Sequence, residues 1–323
     1  MKHGWKQRKA CLEKLCTDDH EREGDDTIMK RGELVKDTVD IAGETRKYLY
    51  YIPVSLKDNS AAPMLLSFHG AGSDAAYHTR LTSFHKLAET EQFIVVYPES
   101  KQVNADPLSK QWNDGREGNP AYEAGVNDVQ FVEELISQWK TSFHIDANKV
   151  YATGFSNGSS FSLKLALEMP GAFAAVGAVG ATLPALYQNK QADELPPLLF
   201  IMGNDDPIVP FSEADGNGEH TYAIDGLLGA KATVEWWVNQ TSTSWKVTKE
   251  RLDPLTLHDP TRVEENIYTT NEGKIAAALY IVKGGGHTWP GGPKVQSPGF
   301  GKVCSQITAS KVIFGFFQSS FTK

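Results

Sequence analysis

Three places in this sequence carry residues whose types suit nucleophilic catalysis: Ser156 in Gly154-Phe155-Ser156-Asn157-Gly158, the Asp205-Asp206 pair before Pro207, and His287 after Gly284-Gly285-Gly286. A serine hydroxyl is too weakly acidic to attack a carbonyl unaided. An imidazole that takes its proton and later returns it to a leaving alcohol removes that obstacle, while a buried carboxylate fixes the imidazole tautomer and stabilises the imidazolium. Two adjacent aspartates on a turn point in different directions, so only one of Asp205 and Asp206 can serve. If neither does, Glu213 and Asp215 are the next acids along the chain.

Gly154 to Gly158 is a G-x-S-x-G pattern with a β-type run before it, Val150 to Thr153, and an apolar helical pattern after it (Phe161, Leu163, Leu165, Ala166, Met169). That strand–turn–helix setting is the one a nucleophile elbow needs, with glycines where a Cβ would collide with the neighbouring strand and helix. Without that setting the pattern would be an ordinary Gly/Ser turn. Asn157 opens the helix, so its amide and the helix dipole point to where an oxyanion would form.

The elements that must position these residues alternate. From Glu33 a hairpin runs through Leu34 to Ile41, a turn at Ala42-Gly43-Glu44, and Tyr48 to Pro53. Met64 to Phe68 and Phe93 to Pro98 are continuous apolar strands of the kind buried on both faces, with a helix expected over Thr79 to Glu91 between them. Gln102 to Ala124 is a long Gly/Asn/Pro-rich loop containing Trp112-Asn113-Asp114-Gly115-Arg116. Asn127 caps a helix, with Gln130 at the reciprocal position and Val129, Val132, Leu135, Ile136 and Trp139 as its buried stripe. Ala174 to Val179 and Leu198 to Met202 read as short buried strands, Ala230 to Val238 as a helix, Val263 to Thr269 and Ile275 to Val282 as paired strands, and Thr308 to Phe317 as a closing helix. Alternation of strand and helix predicts a mostly parallel central sheet with helices on both faces. Ser156, the aspartate pair and His287 each fall at the C-terminal end of a strand, the edge where open α/β sheets gather their sites.

Residues 1–30 are polar and aperiodic and read as an extension outside the fold; the rest, 31–323, reads as a single domain with no internal linker. A net charge of −8 without a Lys/Arg cluster argues against nucleic acid and anionic membrane as partners. No apolar run has the length of a membrane span, and Met1 to Asp26 lacks the apolar segment of a signal peptide. Three cysteines do not make a disulfide framework in 323 residues, and Cys11, Cys16 and His20 fall one ligand short of a zinc site, so no metal is expected. Asn239-Gln240-Thr241 and Asn157-Gly158-Ser159 are glycosylation sequons, the second of them at the buried elbow.

A reading from another class competes. Gly70-Ala71-Gly72-Ser73-Asp74-Ala75 satisfies a G-x-G-x-x-A dinucleotide fingerprint after a strand, and Glu99 past the next strand is placed to mimic its ribose-binding acid. That would make an oxidoreductase, but it leaves the elbow, the aspartates and His287 without a role. A non-catalytic binding protein on the same fold is the other competitor, disfavoured because every triad position is filled.

The order Ser, Asp, His is that of the α/β-hydrolases. His69-Gly70, Trp112 to Arg116, Val126-Asn127-Asp128-Val129, Gly154 to Gly158, Gly203 to Pro210 and Gly286 to Gly292 together resemble the polyhydroxybutyrate depolymerase/feruloyl esterase family, over about Glu33 to Phe317. The resemblance implies an α/β-hydrolase fold and a secreted, cofactor-free carboxylesterase. Its substrates would be small or polymer-linked esters: feruloyl or cinnamoyl esters first, acetyl esters or polyesters as alternatives. It places the triad acid at Asp206, between Gly203 and the Pro207-Ile208-Val209-Pro210 run, and the oxyanion donors at the amides of Ala71 and Asn157. Trp112 in the long loop and Trp289 beside His287 are expected either to border a flat acyl pocket or to serve packing. The chain departs from the family in lacking a signal peptide and the cysteines usual after the position of Trp237.

Overall fold

The computed structural model describes residues 29–57, 61–192, 194–211, 226–294, 296 and 299–320. Cys11, Cys16, His20, Glu213 and Asp215 lie outside the described residues. Arg31–Lys323 forms one compact unit, distinct from Met1–Lys30.

Among the described residues, ten strands form one sheet: β1 (Val35–Ile41), β2 (Glu44–Tyr51), β3 (Ala62–Phe68), β4 (Ile94–Pro98), β5 (Ile145–Phe155), β6 (Ala175–Val179), β7 (Leu198–Gly203), β8 (Trp245–Arg251), β9 (Arg262–Thr270) and β10 (Ile275–Lys283). Their spatial order is β1-β2-β4-β3-β5-β6-β7-β10-β9-β8. The run from β4 to β10 is parallel throughout, and antiparallel pairs close both margins. β5, β7 and β10 therefore point the same way, and their C-terminal ends share one edge. This is not the 3-2-1-4-5-6 order of a dinucleotide-binding sheet.

Burial explains why the inner strands are continuous apolar runs. Alternate residues of β3 face opposite sides. Leu65 joins a core with Phe84, Phe93, Phe314 and Phe317, where Phe93 and Phe314 stack with centroids 4.0 Å apart. Phe68 faces the other way, edge-on to Phe161 and Trp112 at 5.2 Å each. Helices cover both faces: α1 (Ala75–Thr82), α2 (Phe84–Glu91), the single turn α3 (Pro120–Glu123), α4 (Asp128–Ser142), α5 (Asn157–Glu168), α6 (Ala230–Thr241) and α7 (Ala309–Ser319).

Several elements differ from the sequence reading, among them the short helical turn α3 inside the stretch read as loop. The helix expected over Thr79 to Glu91 is two helices, broken where Ser83 takes a left-handed φ of 52° and its amide returns to the carbonyl of Thr79. The break falls between residues with no glycine or proline, so nothing in the local sequence marks it. Strand β8 was not anticipated, because its residues Lys246 to Arg251 are exposed on both sides and show no apolar alternation. Asn127 caps α4 as expected, its Oδ1 accepting from the Gln130 amide at 3.1 Å, but the return bond of the box goes to the cap's side chain: Asn127 Nδ2 donates to Gln130 Oε1 at 3.3 Å.

Candidate active site

Strand β5 runs into helix α5 through Ser156, whose φ of 54° and ψ of −125° are strained for a residue with a side chain. The neighbouring backbone holds it there. The Ser156 amide donates to Val179 O of β6 at 2.9 Å, and the Ser156 carbonyl accepts from Ser159 N and Ser160 N at 2.7 and 3.2 Å. The two glycines are required by contact. A Cβ on Gly154 would lie 2.1 Å from the Gly158 carbonyl oxygen, and one on Gly158 would lie 2.4 Å from that of Phe68. With β3 and α5 this close, the serine Oγ is lifted to the sheet edge.

Three strand ends converge on it. His287 Nε2 lies 2.9 Å from Ser156 Oγ, and His287 Nδ1 lies 2.7 Å from Asp206 Oδ2. The second carboxylate oxygen of Asp206 accepts from the amides of Ile208 and Val209 at 2.8 and 2.9 Å, which turns the chain and aims Oδ2 at the imidazole. With Asp206 1% exposed and His287 2%, their contact is shielded from water, whereas Asp205 is exposed. Asp205 uses its backbone instead: its amide donates to Gly285 O at 3.0 Å, and Gly284 N donates to Asn204 Oδ1 at 2.7 Å. These bonds stitch the loop after β7 to the loop after β10. The approach tolerates no side chain, since a Cβ on Gly203 would lie 2.2 Å from the Gly285 carbonyl oxygen and one on Gly286 would lie 2.1 Å from that of Phe300.

Gly70 sits against the serine, with its Cβ position 3.3 Å from Ser156 Cβ, so Ala71, the next residue and an exposed one, borders the same spot. Asn157 is the first residue of α5, and its amide is among those a helix leaves without an internal acceptor. His69 lies behind this turn. Its Nδ1 bonds Gly70 O at 2.8 Å and its Nε2 accepts from Ser100 N at 3.0 Å, which places the proton on Nδ1. Burial lowers its pKa to about 4, so the ring is neutral at ordinary pH. The turn that imitates a dinucleotide fingerprint is occupied otherwise: Asp74 caps α1 through the Tyr77 amide at 2.6 Å, and Glu99 pairs with Lys110 at 2.8 Å.

Trp112 and Trp289 require correction as substrate contacts. Their side chains are 0% and 1% exposed and have no surface to offer a ligand. Trp112 stacks on Phe161 with centroids 5.0 Å apart and planes 8° from parallel, and its indole N–H donates to His69 O at 3.0 Å. Trp289 packs edge-on to Phe84, His78 and Phe155, and its indole N–H donates to Ser310 Oγ at 3.2 Å. Both are core residues.

Sequence reasoning missed the buried polar layer under the long loop. Asp114, 0% exposed, accepts from Arg116 at 2.7 Å and from Asn157 Nδ2 at 2.8 Å. Asn119 donates to Trp112 O and Asp114 Oδ1 at 3.0 and 3.1 Å. Asn113 N donates to Asp128 Oδ2 at 2.8 Å, and Asp128 pairs with buried Arg46 at 2.6 Å. The available signal was an excess of Asn and Asp in one loop, which does not distinguish a solvated turn from a buried network. Among the described residues, no group of three His, Cys, Asp or Glu is arranged to hold a metal ion.

The sequence profile of the phospholipase/carboxylesterase family matches residues 51–223, a span that includes Ser156 and Asp206 and ends before His287. Over 258 residues the chain is 26% identical to a protein of Nocardia uniformis subsp. tsuyamanensis named as an esterase, NocK, covering 78% of this chain and 73% of that one. It is 29% identical to the bifunctional acetylxylan esterase/xylanase XynS20E of Neocallimastix patriciarum over 54% of this chain and 23% of that protein. It is 23% identical to feruloyl esterase B of Piromyces equi over 75% of this chain and 42% of that protein. The chain thus spans less than half the length of the latter two. Among solved structures, the acetyl xylan esterase from Aspergillus awamori superposes with a TM-score of 0.59 at 14% identity, over 88% of this chain and 99% of that one, a likeness of fold.

Proposed function

The chain belongs to the phospholipase/carboxylesterase family, and from that membership we propose that it is a serine carboxylesterase working through an acyl-enzyme. The observation that carries the reading is the hydrogen-bonded line from Ser156 Oγ through His287 to Asp206 Oδ2, starting at a serine with φ of 54°. His287 Nε2 takes the proton of Ser156 as Oγ bonds to the ester carbonyl carbon, and Asp206 stabilises the imidazolium through Nδ1–H. The carbonyl π electrons move onto its oxygen, which the amides of Ala71 and Asn157 receive. The tetrahedral adduct collapses, the bond to the alcohol oxygen breaks, and His287 returns the proton to the departing alcohol. Water then repeats the sequence on the acyl-enzyme and releases the acid. Ser156→Ala should lower kcat by about four to six orders of magnitude with the fold intact, and a fluorophosphonate should add its mass at Ser156. Turnover within tenfold of the parent would remove the assignment.

For the acyl group, a feruloyl ester keeps the support of the feruloyl esterase relative. The burial of Trp112 and Trp289 favours a second reading, a small acyl group such as acetyl, because the two planar side chains expected to border an aromatic acid lie in the core. Comparing kcat/KM for methyl ferulate and for an acetyl ester of matched leaving group separates the two: a higher value for the ferulate supports the first, the reverse ranking the second. Action outside the cell belongs to the same proposal and is tested by assaying culture medium against cell extract.

A further inference from the structure

We infer that Trp112 is a positioning residue that couples the two amides receiving the oxyanion, so that the loop carrying it sets the rate of acylation without touching the substrate. This rests on the serine-esterase reading above. On one side, the main chain of Trp112 grips the Asn157 side chain like a strand partner: Trp112 N donates to Asn157 Oδ1 at 2.7 Å, and Asn157 Nδ2 donates to Trp112 O at 3.0 Å. The other Nδ2 hydrogen goes to Asp114 Oδ2 at 2.8 Å, so the carboxamide has no freedom to turn. On the other side, the indole N–H donates to His69 O at 3.0 Å, and His69 Nδ1–H holds Gly70 O at 2.8 Å.

Each grip determines an amide direction. In a trans peptide the N–H points opposite to the C=O. With Gly70 O drawn toward the His69 ring, the Ala71 N–H is turned away from that ring. The Asn157 amide follows Ser156, whose strained backbone would relax by rotating the peptide between them. Anchoring the Asn157 side chain to the loop opposes that rotation. The indole itself is immobile, fully buried between Phe161, Phe131 and Phe68. One rigid residue therefore stands between two backbone donors that follow different strands, Ala71 after β3 and Asn157 after β5.

Trp112→Phe keeps an aromatic ring in the stack while removing the indole donor and part of the buried ring volume; Asn157→Ala keeps the backbone amide and removes the grip. Both should lower kcat for a nitrophenyl ester, about tenfold or more for Trp112→Phe and up to the roughly 10²–10³-fold cost of losing one oxyanion donor for Asn157→Ala. KM should stay within twofold, and fluorophosphonate labelling of Ser156 should slow by the same factor as kcat. Because the two act through one clamp, the double variant should lose little more than the worse single one. A purely structural anchor would lower the melting temperature and leave kcat of the folded fraction unchanged. Unchanged kcat in either variant that folds, a loss confined to KM, or fully multiplicative losses would overturn the coupling; full activity in Ser156→Ala would instead overturn the esterase reading beneath it.

Discussion

Asp205 and Asp206 are adjacent, identical in type and different in every physical respect that matters to an imidazole. Asp206 is buried, spends one oxygen on two backbone amides and presents the other to His287 Nδ1. Asp205 is exposed and is tied through its amide alone. Asn at the partner position preserves shape but presents a donor or favours the wrong tautomer, a loss of about 10⁴ in kcat in the best-studied triad. Asp206→Asn should approach that loss while Asp205→Asn stays within about tenfold. Steady-state kinetics of the two variants read this directly; a reversed ranking would move the acid to Asp205.

At the scale of elements, the site depends on backbone segments that touch without side chains between them. Strand β5, helix α5 and strand β3 meet at Gly154 and Gly158, where a Cβ would fall 2.1–2.4 Å from a backbone oxygen that cannot move alone. Gly158→Ala should therefore push α5 off β3 and cost stability on the scale of overpacking, about 1–3 kcal/mol or more. A fall in melting temperature or loss of soluble protein is the expected outcome. Gly118, by contrast, has open space at its Cβ position, though its φ of 76° makes alanine strained. Gly118→Ala should cost about 1 kcal/mol and leave activity unchanged. Equal thermal shifts for the two would show that the close approach at the elbow is not what the glycine serves.

Across the molecule, two buried histidines among the described residues, His69 and His78, lie outside the proposed Ser156–His287–Asp206 line. His69 is held near pKa 4 by burial, and His78, between Tyr97 and Trp289 with its Nε2 on Ser67 Oγ, is lowered well below its usual value by the same cause. Both are neutral when folded and protonate near pH 6.5 when unfolded. Between those values the unfolded chain binds more protons, so stability is full above about pH 6.5 and falls as pH drops toward the folded pKa. The His69 shift alone corresponds to roughly 3 kcal/mol lost by about pH 4. Urea midpoints measured from pH 7.5 to 5 should fall steadily, and His78→Gln, which keeps a partner for Ser67, should flatten the decline. A midpoint independent of pH over that window would exclude the neutral buried pair.

What the sequence determined by itself was local and repetitive. Continuous apolar runs such as Met64 to Phe68 and Leu198 to Met202 are strands because only a sheet covered on both faces buries every residue of such a run. Ser156 between Gly154 and Gly158 marked a tight strand-to-helix turn because few other residues fit that backbone. The positions of Asp206 and His287 after later strands followed from the same apolar runs. Tertiary structure alone decided what depends on neighbours distant in the chain. Strand β8 escaped notice because an edge strand exposed on both sides has no apolar period to read. Ser83 divides a helix without a local breaker. A tryptophan in a polar loop reads equally as a pocket wall or as packing, and only the rings of Phe68, Phe131 and Phe161 around Trp112, brought together by strand order, made it packing. The same convergence turned a loop rich in Asn and Asp into a buried network, because each polar group under Trp112 found a partner that sequence spacing does not reveal.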